Sequence, residues 1–215
     1  RILSEQYLLE RRTDGLVVID VVVTPDQATS ITQRGVALAS IGNRTAGHPS
    51  VQIDNEMVGR LAADHLIGLG HERFGVIGGQ NDNPLSSDVP SLRRCGFVNG
   101  LASHGLVFDD DLLARGNFGV DGGQEAMAAL LNRHEPPTAV FSMSDEMAFG
   151  AIMELNHHGL LAGRDVSIIG VDDHEFARVV DLTTIRQSVA SHGAEAARLL
   201  IDAMQQEVLG PFQNA

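Results

Sequence analysis

The sequence predicts an α/β fold built on open, doubly wound parallel sheet. Three observations predict it. Short runs rich in Val, Ile and Ala recur along the chain, and most are continuously apolar rather than alternating, as in parallel strands buried on both faces. Amphipathic helical segments lie between these runs. Gly, Asp, Asn or Pro punctuates the junctions. Strand alternating with helix is the signature of a parallel sheet covered by helices.

The elements follow in order. The chain opens in an expected helix over 2–12, and a strand is expected over 15–20. Thr24-Pro25 is a cap followed by a first-turn proline, and Gly35 ends the helix they start. Strands are expected over 37–42 and 50–54. Asp54 or Asn55 caps a helix running to Gly70, with Leu61, His65, Leu66 and Leu69 at helical spacing. After a strand over 73–78, residues 80–90 are polar and Pro-bounded, a loop leading to Arg93. Helices are expected over 91–104, 121–132, 144–159 and 189–205, the last with Ala196, Leu199, Leu200 and Ala203 on one face. Strands are expected over 139–143, 166–171 and 183–187. The first strand of a doubly wound sheet is normally central, so a chain opening in a helix is expected to lack an upstream strand–helix–strand unit. A lobe without it is expected to be poorly stable alone.

The 215 residues carry 15 Lys and Arg against 28 Asp and Glu, a formal charge of −13. Apolar residues at 43% and charged residues at 20% exclude wholesale disorder and fibrous classes. The length fits one large domain or two lobes of about 100 residues each. With no Trp, one Tyr and eight Phe, the core is expected to be aliphatic. A surface that grips a nucleic-acid backbone needs clustered Lys and Arg, and only the doublets Arg11-Arg12 and Arg93-Arg94 occur. The single cysteine, Cys95, excludes an intrachain disulfide and a multi-cysteine zinc site, and fits a reduced, cytosolic setting. The apolar run 16–23 is interrupted by Asp20 and is too short to span a bilayer. The chain begins with Arg1, as expected of a fragment or processed product. There is no His-Glu-x-x-His, no Gly-x-Ser-x-Gly elbow and no Walker loop, so neither metal nor cofactor is expected. Gly78-Gly79 and Gly122-Gly123 read as turn glycines, and His157-His158 before Gly159 suits a helix C-terminus.

Several segments, taken in order, resemble the effector-binding core of the lactose-repressor (LacI/GalR) family of bacterial transcription regulators. They are Thr13-Asp14-Gly15-Leu16-Val17-Val18, Ile53-Asp54-Asn55 with Gly59, and His65-Leu66-Ile67-Gly68-Leu69-Gly70-His71. Next come Arg93-Arg94-Cys95-Gly96-Phe97, Thr138-Ala139-Val140-Phe141, and Ser144-Asp145-Glu146-Met147-Ala148-Phe149-Gly150-Ala151. Val166-Ser167-Ile168-Ile169-Gly170-Val171-Asp172-Asp173 and Leu182-Thr183-Thr184-Ile185-Arg186-Gln187 complete the series, which covers nearly the whole chain. The resemblance implies a two-lobed core like the type I periplasmic sugar-binding proteins, with effector between the lobes. It implies an N-terminal lobe of 1–53 plus about 188–205, lacking its first strands, and a C-terminal lobe of 54–187 plus about 206–215. The family also has a helix-turn-helix head and a hinge helix, which this sequence lacks, and the tail after Gly210 is short. Operator DNA is therefore expected to be touched only through a head outside these residues. The resemblance further implies a cytoplasmic homodimer, with the N-terminal lobe and the helix 24–34 among the candidate contacts, and an effector of sugar, polyol or nucleoside-like chemistry.

The same resemblance nominates the ligand-binding residues. Arg93 matches a family arginine three residues before a glycine, here Gly96; its guanidinium fork can grip two vicinal hydroxyls or a carboxylate. The alternative is an exposed helix arginine, as expected for Arg94. Asp172, at the end of its strand, matches a family aspartate able to accept from adjacent hydroxyls, whereas Asp173 reads as a turn former. Asn43 follows the strand 37–42 and is either a cleft residue or a plain turn residue. Ser144 opens a helix and can cap it or touch ligand, capping being the commoner task. Phe118 is either a flat apolar platform or core packing, and Gln187 is a further candidate. Arg93→Ala is expected to abolish effector binding and leave the fold intact. Two rival readings stand beside this one: a periplasmic sugar-binding protein of a transport system, and a doubly wound enzyme using Asp172 or Asp145. No nucleophile–base pairing is legible for the enzyme.

Overall fold

The computed structural model describes residues 13–79 and 88–209. The expected opening helix 2–12 and most of the loop 80–90 lie outside the described residues. The described residues divide into two compact units: one of 13–53 together with 188–209, the other of 54–79 together with 88–187.

The first unit holds three parallel strands in the order β1 (Gly15–Ile19), β2 (Ala37–Ile41), β3 (Ser50–Val51). Helix α1 (Pro25–Thr32) joins β1 to β2. Thr24 and Gln27 form a reciprocal capping box at its start, and Pro25 sits in the first turn. Ala28 and Ile31 of α1 pack on Val18, Val23, Val36 and Leu38. β3 is shorter than the expected 50–54, because Asp54 is committed to capping the next helix.

The second unit has a five-stranded, wholly parallel sheet in the order β5-β4-β6-β7-β8. Its strands are β4 (Phe74–Gly78), β5 (Leu113–Arg115), β6 (Ala139–Ser142), β7 (Ser167–Asp172) and β8 (Thr183–Arg186). Its helices are α2 (Asn55–Gly68), α3 (Val89–Ser103), α4 (Val120–Leu131) and α5 (Asp145–His157). β4 and β6 are buried at every residue, which explains their unbroken apolar runs. Phe97 of α3 meets Phe74 edge-on at 6.0 Å and stacks on Phe141 at 5.1 Å. Leu130 of α4 lies against Gly75, on the opposite face of the same strand. α2 packs with α3 and α4 with α5, so each face carries a helix pair. The doubly wound reading holds, but the expected aliphatic core contains a phenylalanine knot, with Phe108 also at 6.2 Å from Phe97.

α6 (Val189–Leu209) groups with the first unit and places Leu200 and Met204 against Gly15. The sequence reading ends this helix near 205 and passes 206–215 to the other lobe. No Gly or Pro lies between Gln205 and Gly210, and the helix runs on to Leu209.

Candidate ligand-binding site

The order of the second sheet locates a site. From β4 the chain goes to β5 on one side and then returns to β6 on the other. The order therefore reverses between β4 and β6, and open α/β sheets bind ligands outside the carboxyl ends of strands at such a point. The residues at or just beyond the carboxyl ends of the strands in this unit include Gly79, Met143, Ser144, Asp172 and Gln187.

Arg93 is brought there by close packing of two helices. A Cβ at Gly59 would overlap the Arg93 carbonyl, and one at Gly96 would overlap the Glu56 carbonyl. A Cβ at Gly100 would lie 2.7 Å from that of Ala63. These glycines let α2 and α3 touch backbone to backbone, setting the first residue of α2 beside Arg93. Arg93 Nε donates to Asn55 Oδ1 at 3.0 Å, and its Nη1 donates to the Met143 carbonyl. Arg93 is only 4% exposed. It is not the surface arginine of the alternative reading. That description fits Arg94, whose side chain is 42% exposed and pairs with Asp110. Asp54 turns out to be the α2 cap, accepting from Met57 N at 2.8 Å, which leaves Asn55 to hold Arg93.

Asp172 ends β7 with φ +127°, and Asp173 follows at φ +57°. Both are left-handed conformations, costing about 1–3 kcal/mol each for a non-glycine residue. Gln187 Nε2 donates to Asp172 Oδ1 at 2.7 Å, so two sequence candidates meet directly. Burial pushes the Asp172 carboxyl up to about 6, the nearby Arg93 charge opposing and the charges of Asp145 and Glu146 adding. Asp173 does form the turn, and Arg186 Nε donates to its Oδ2 at 2.5 Å.

Asp145, considered above only as an enzyme residue, is fully buried at the first position of α5. Its Oδ2 accepts from His174 N at 2.8 Å and its Oδ1 from Thr184 Oγ1 at 2.7 Å. Thr184 Oγ1 in turn accepts from Asp173 N at 3.2 Å. Any Cβ on Gly170 would strike Asp145 Oδ1. Burial raises the Asp145 pKa, and its two hydrogen bonds oppose that rise. These partners lie 29 and 39 residues away in sequence, so no local pattern announces them.

Ser144 takes the capping role: its buried hydroxyl accepts from Met147 N at 3.3 Å. Phe118 is not core. The residue is 39% exposed, its φ is +55°, and a Cβ on Gly79 would come within 2.5 Å of Cε2. Asn43 belongs to the first unit, just past β2, and its amide nitrogen is buried without a hydrogen-bond partner.

A His–Ser pair joins residues distant in sequence. His71 Nε2 lies 2.9 Å from Ser167 Oγ and Nδ1 lies 3.0 Å from Thr138 Oγ1. It sits at the amino ends of β4, β6 and β7, where it ties strands together, and partial burial lowers its pKa. Among the described residues no cluster of His, Cys, Asp and Glu could hold a metal, and no helix is long and apolar enough to cross a membrane.

Residues 63–211 match the periplasmic binding protein-like domain family. The HTH-type transcriptional repressor CytR of Escherichia coli K12 is 35% identical over 208 residues, covering 94% of this chain and 60% of the repressor. The chain thus spans about 60% of the length of the curated relatives it matches. Among solved structures, a transcriptional regulator CelR–cellobiose complex is 31% identical with a TM-score of 0.83, over 94% of this chain and 62% of that one. A LacI family regulator from Enterococcus faecium with bound ribose is 28% identical with a TM-score of 0.84, over 93% of this chain and 74% of that one. The chain belongs to the periplasmic binding protein-like family, as a ligand-binding core of the LacI regulator type.

Proposed function

We propose that this chain is the effector-sensing part of a LacI-type transcription regulator, and that its effector carries vicinal hydroxyls, as sugars, polyols and nucleosides do. The observation that carries this reading is the buried Arg93 guanidinium, fixed on Asn55 and Met143 at the switch point, in the electrostatic field of Asp172. A guanidinium fork donates to two adjacent hydroxyl oxygens. Asp172, steadied by Gln187, accepts from the hydroxyl protons. The half-exposed ring of Phe118 offers an apolar face to a sugar ring or base. Two structural relatives were solved with cellobiose and with ribose, both polyhydroxylated.

The regulator acts as a homodimer and contacts DNA through a head outside this chain; the effector shifts its balance between two states of different DNA affinity. A regulator is preferred to an enzyme because both Asp145 oxygens are engaged in structural bonds and the His71–Ser167 pair sits at the amino ends of the strands. Relatives named as transcriptional repressors favour a regulator over a transport receptor.

The test is a thermal-shift screen with D-ribose, cellobiose, ribonucleosides and their deoxy analogues. A vicinal diol at 100 times its Kd stabilises by about 2.7 kcal/mol, raising Tm by roughly 5–10 °C. Stabilisation by no vicinal diol, or equally by analogues lacking the diol, would overturn the reading.

A further inference from the structure

We propose that Asp145 is a positioning residue for the effector site: its buried carboxylate anchors the 172–174 turn and so presents Asp172 to the effector. This rests on the effector reading of Arg93 and Asp172.

The argument starts from the turn. Two consecutive aspartates hold left-handed conformations, at φ +127° and +57°. L residues adopt these only where surroundings over-determine them. Asp145 supplies that determination. One oxygen takes the His174 amide at 2.8 Å and the other takes the Thr184 hydroxyl at 2.7 Å. The same hydroxyl accepts the Asp173 amide at 3.2 Å. The peptide units following Asp172 are therefore tied, directly or through Thr184, to one carboxylate. Gly170 leaves room for it, since any side chain there would displace Oδ1. Its place in the first turn of α5 sets it against the positive end of the helix dipole, which favours the ionised, doubly accepting form despite complete burial. Ser144, the preceding residue, caps the same helix, so the anchor is itself fixed. The proposed action of this network on the effector runs through Asp172.

Asp145→Asn keeps the size and one acceptor oxygen, but an amide nitrogen cannot accept from His174 N. Thr184→Val removes the other link at constant shape. The probe is whichever of D-ribose, cellobiose or a ribonucleoside most stabilises the wild-type protein, and affinity is read by calorimetry from pH 5 to 8. The groups facing Asp172 are Arg93 on α3, Asp145 and Glu146 on α5, and Gln187 after β8. In Asp145→Asn we expect affinity at pH 7.5 to fall at least tenfold. Loss of the neighbouring negative charge also moves the acid limb of binding to lower pH. Hydrogen exchange of the His174 amide should rise at least tenfold while the α5 amides keep their protection. Thr184→Val should weaken binding in the same direction. Wild-type affinity and an unmoved acid limb in Asp145→Asn, with Asp172→Asn still weakened, would overturn the positioning role and leave the effector reading standing. Full affinity in Asp172→Asn as well, or no binding of any probe by the wild type, would overturn both.

Discussion

Replacing Gly96 by alanine probes the packing that carries Arg93. The new Cβ would fall far inside the 3.0 Å that real Cβ atoms keep, against the carbonyl of Glu56, and all three nearest atoms are Glu56 backbone. No side chain can rotate away, so α2 and α3 must separate along a contact that includes Gly59 and Gly100. Overpacking a close contact costs about 1–3 kcal/mol, and rigid backbone on both sides puts this case at the top of that range. Helix propensity opposes by about 1 kcal/mol, since alanine is favoured over glycine in a helix interior. The net is a loss of about 2 kcal/mol, or roughly 4–8 °C in Tm for a chain of this size. Separation also pulls Asn55 from Arg93, so effector affinity should fall with stability. Gly68→Ala is the internal control: it lies at the end of α2 with nothing within 4 Å of its Cβ, and should be neutral or slightly stabilising. The assay is urea and thermal denaturation of both variants beside the wild type. A Gly96→Ala protein as stable as the wild type would refute the close-packing argument.

Other outcomes follow from the same geometry. Arg93→Ala should not leave stability untouched, because it strands Asn55 Oδ1 and the Met143 carbonyl in a buried site; a loss of at least about 2 kcal/mol is expected in urea denaturation, and an unchanged midpoint would show that those bonds contribute nothing. Ser144→Ala should cost about 1 kcal/mol as a lost N-cap while leaving effector affinity within twofold; a large loss of affinity would restore Ser144 as a contact. The pKa of Asp172 is raised by folding from 3.8 to about 6, so the folded state holds the proton more tightly than the unfolded chain. Its contribution to stability is complete below pH 3.8 and is lost as pH rises through about 6. Tm of the unliganded protein should therefore fall over that interval, and Asp172→Asn should flatten the fall; an identical slope would contradict the shift.

Much of the fold is legible because its signals are local. Buried parallel strands read as unbroken apolar runs, and β4, β6 and β7 fall within or close to those runs. Thr24, Asp54 and Ser144 all announce helix starts that the structure confirms. β5 was not legible. Leu113–Arg115 is three residues long, at the sheet edge, exposed at two of them and preceded by acidic residues, so no apolar run marks it. The pairing of Gln187 with Asp172 places two candidates together across 15 residues. Asn55 and Asp145 escaped as site-supporting residues for a shared reason. Each sits at a helix start, where Asn and Asp read as capping or dipole-complementing residues, and each instead reaches a partner distant in sequence. The glycines of α2 and α3 look like helix-weakening residues until the helix pair is assembled.

The central claim is that Arg93 and Asp172 together recognise a vicinal diol. The measurement that tests it most directly is calorimetric titration of that ligand into wild type, Arg93→Lys and Asp172→Asn. The lysine variant keeps the charge and most of the bulk, which separates loss of the guanidinium fork from loss of the fold. The account predicts at least tenfold weaker binding for each variant, with a cooperative unfolding transition retained in both. Wild-type affinity in both would contradict it and move the effector site elsewhere on the chain.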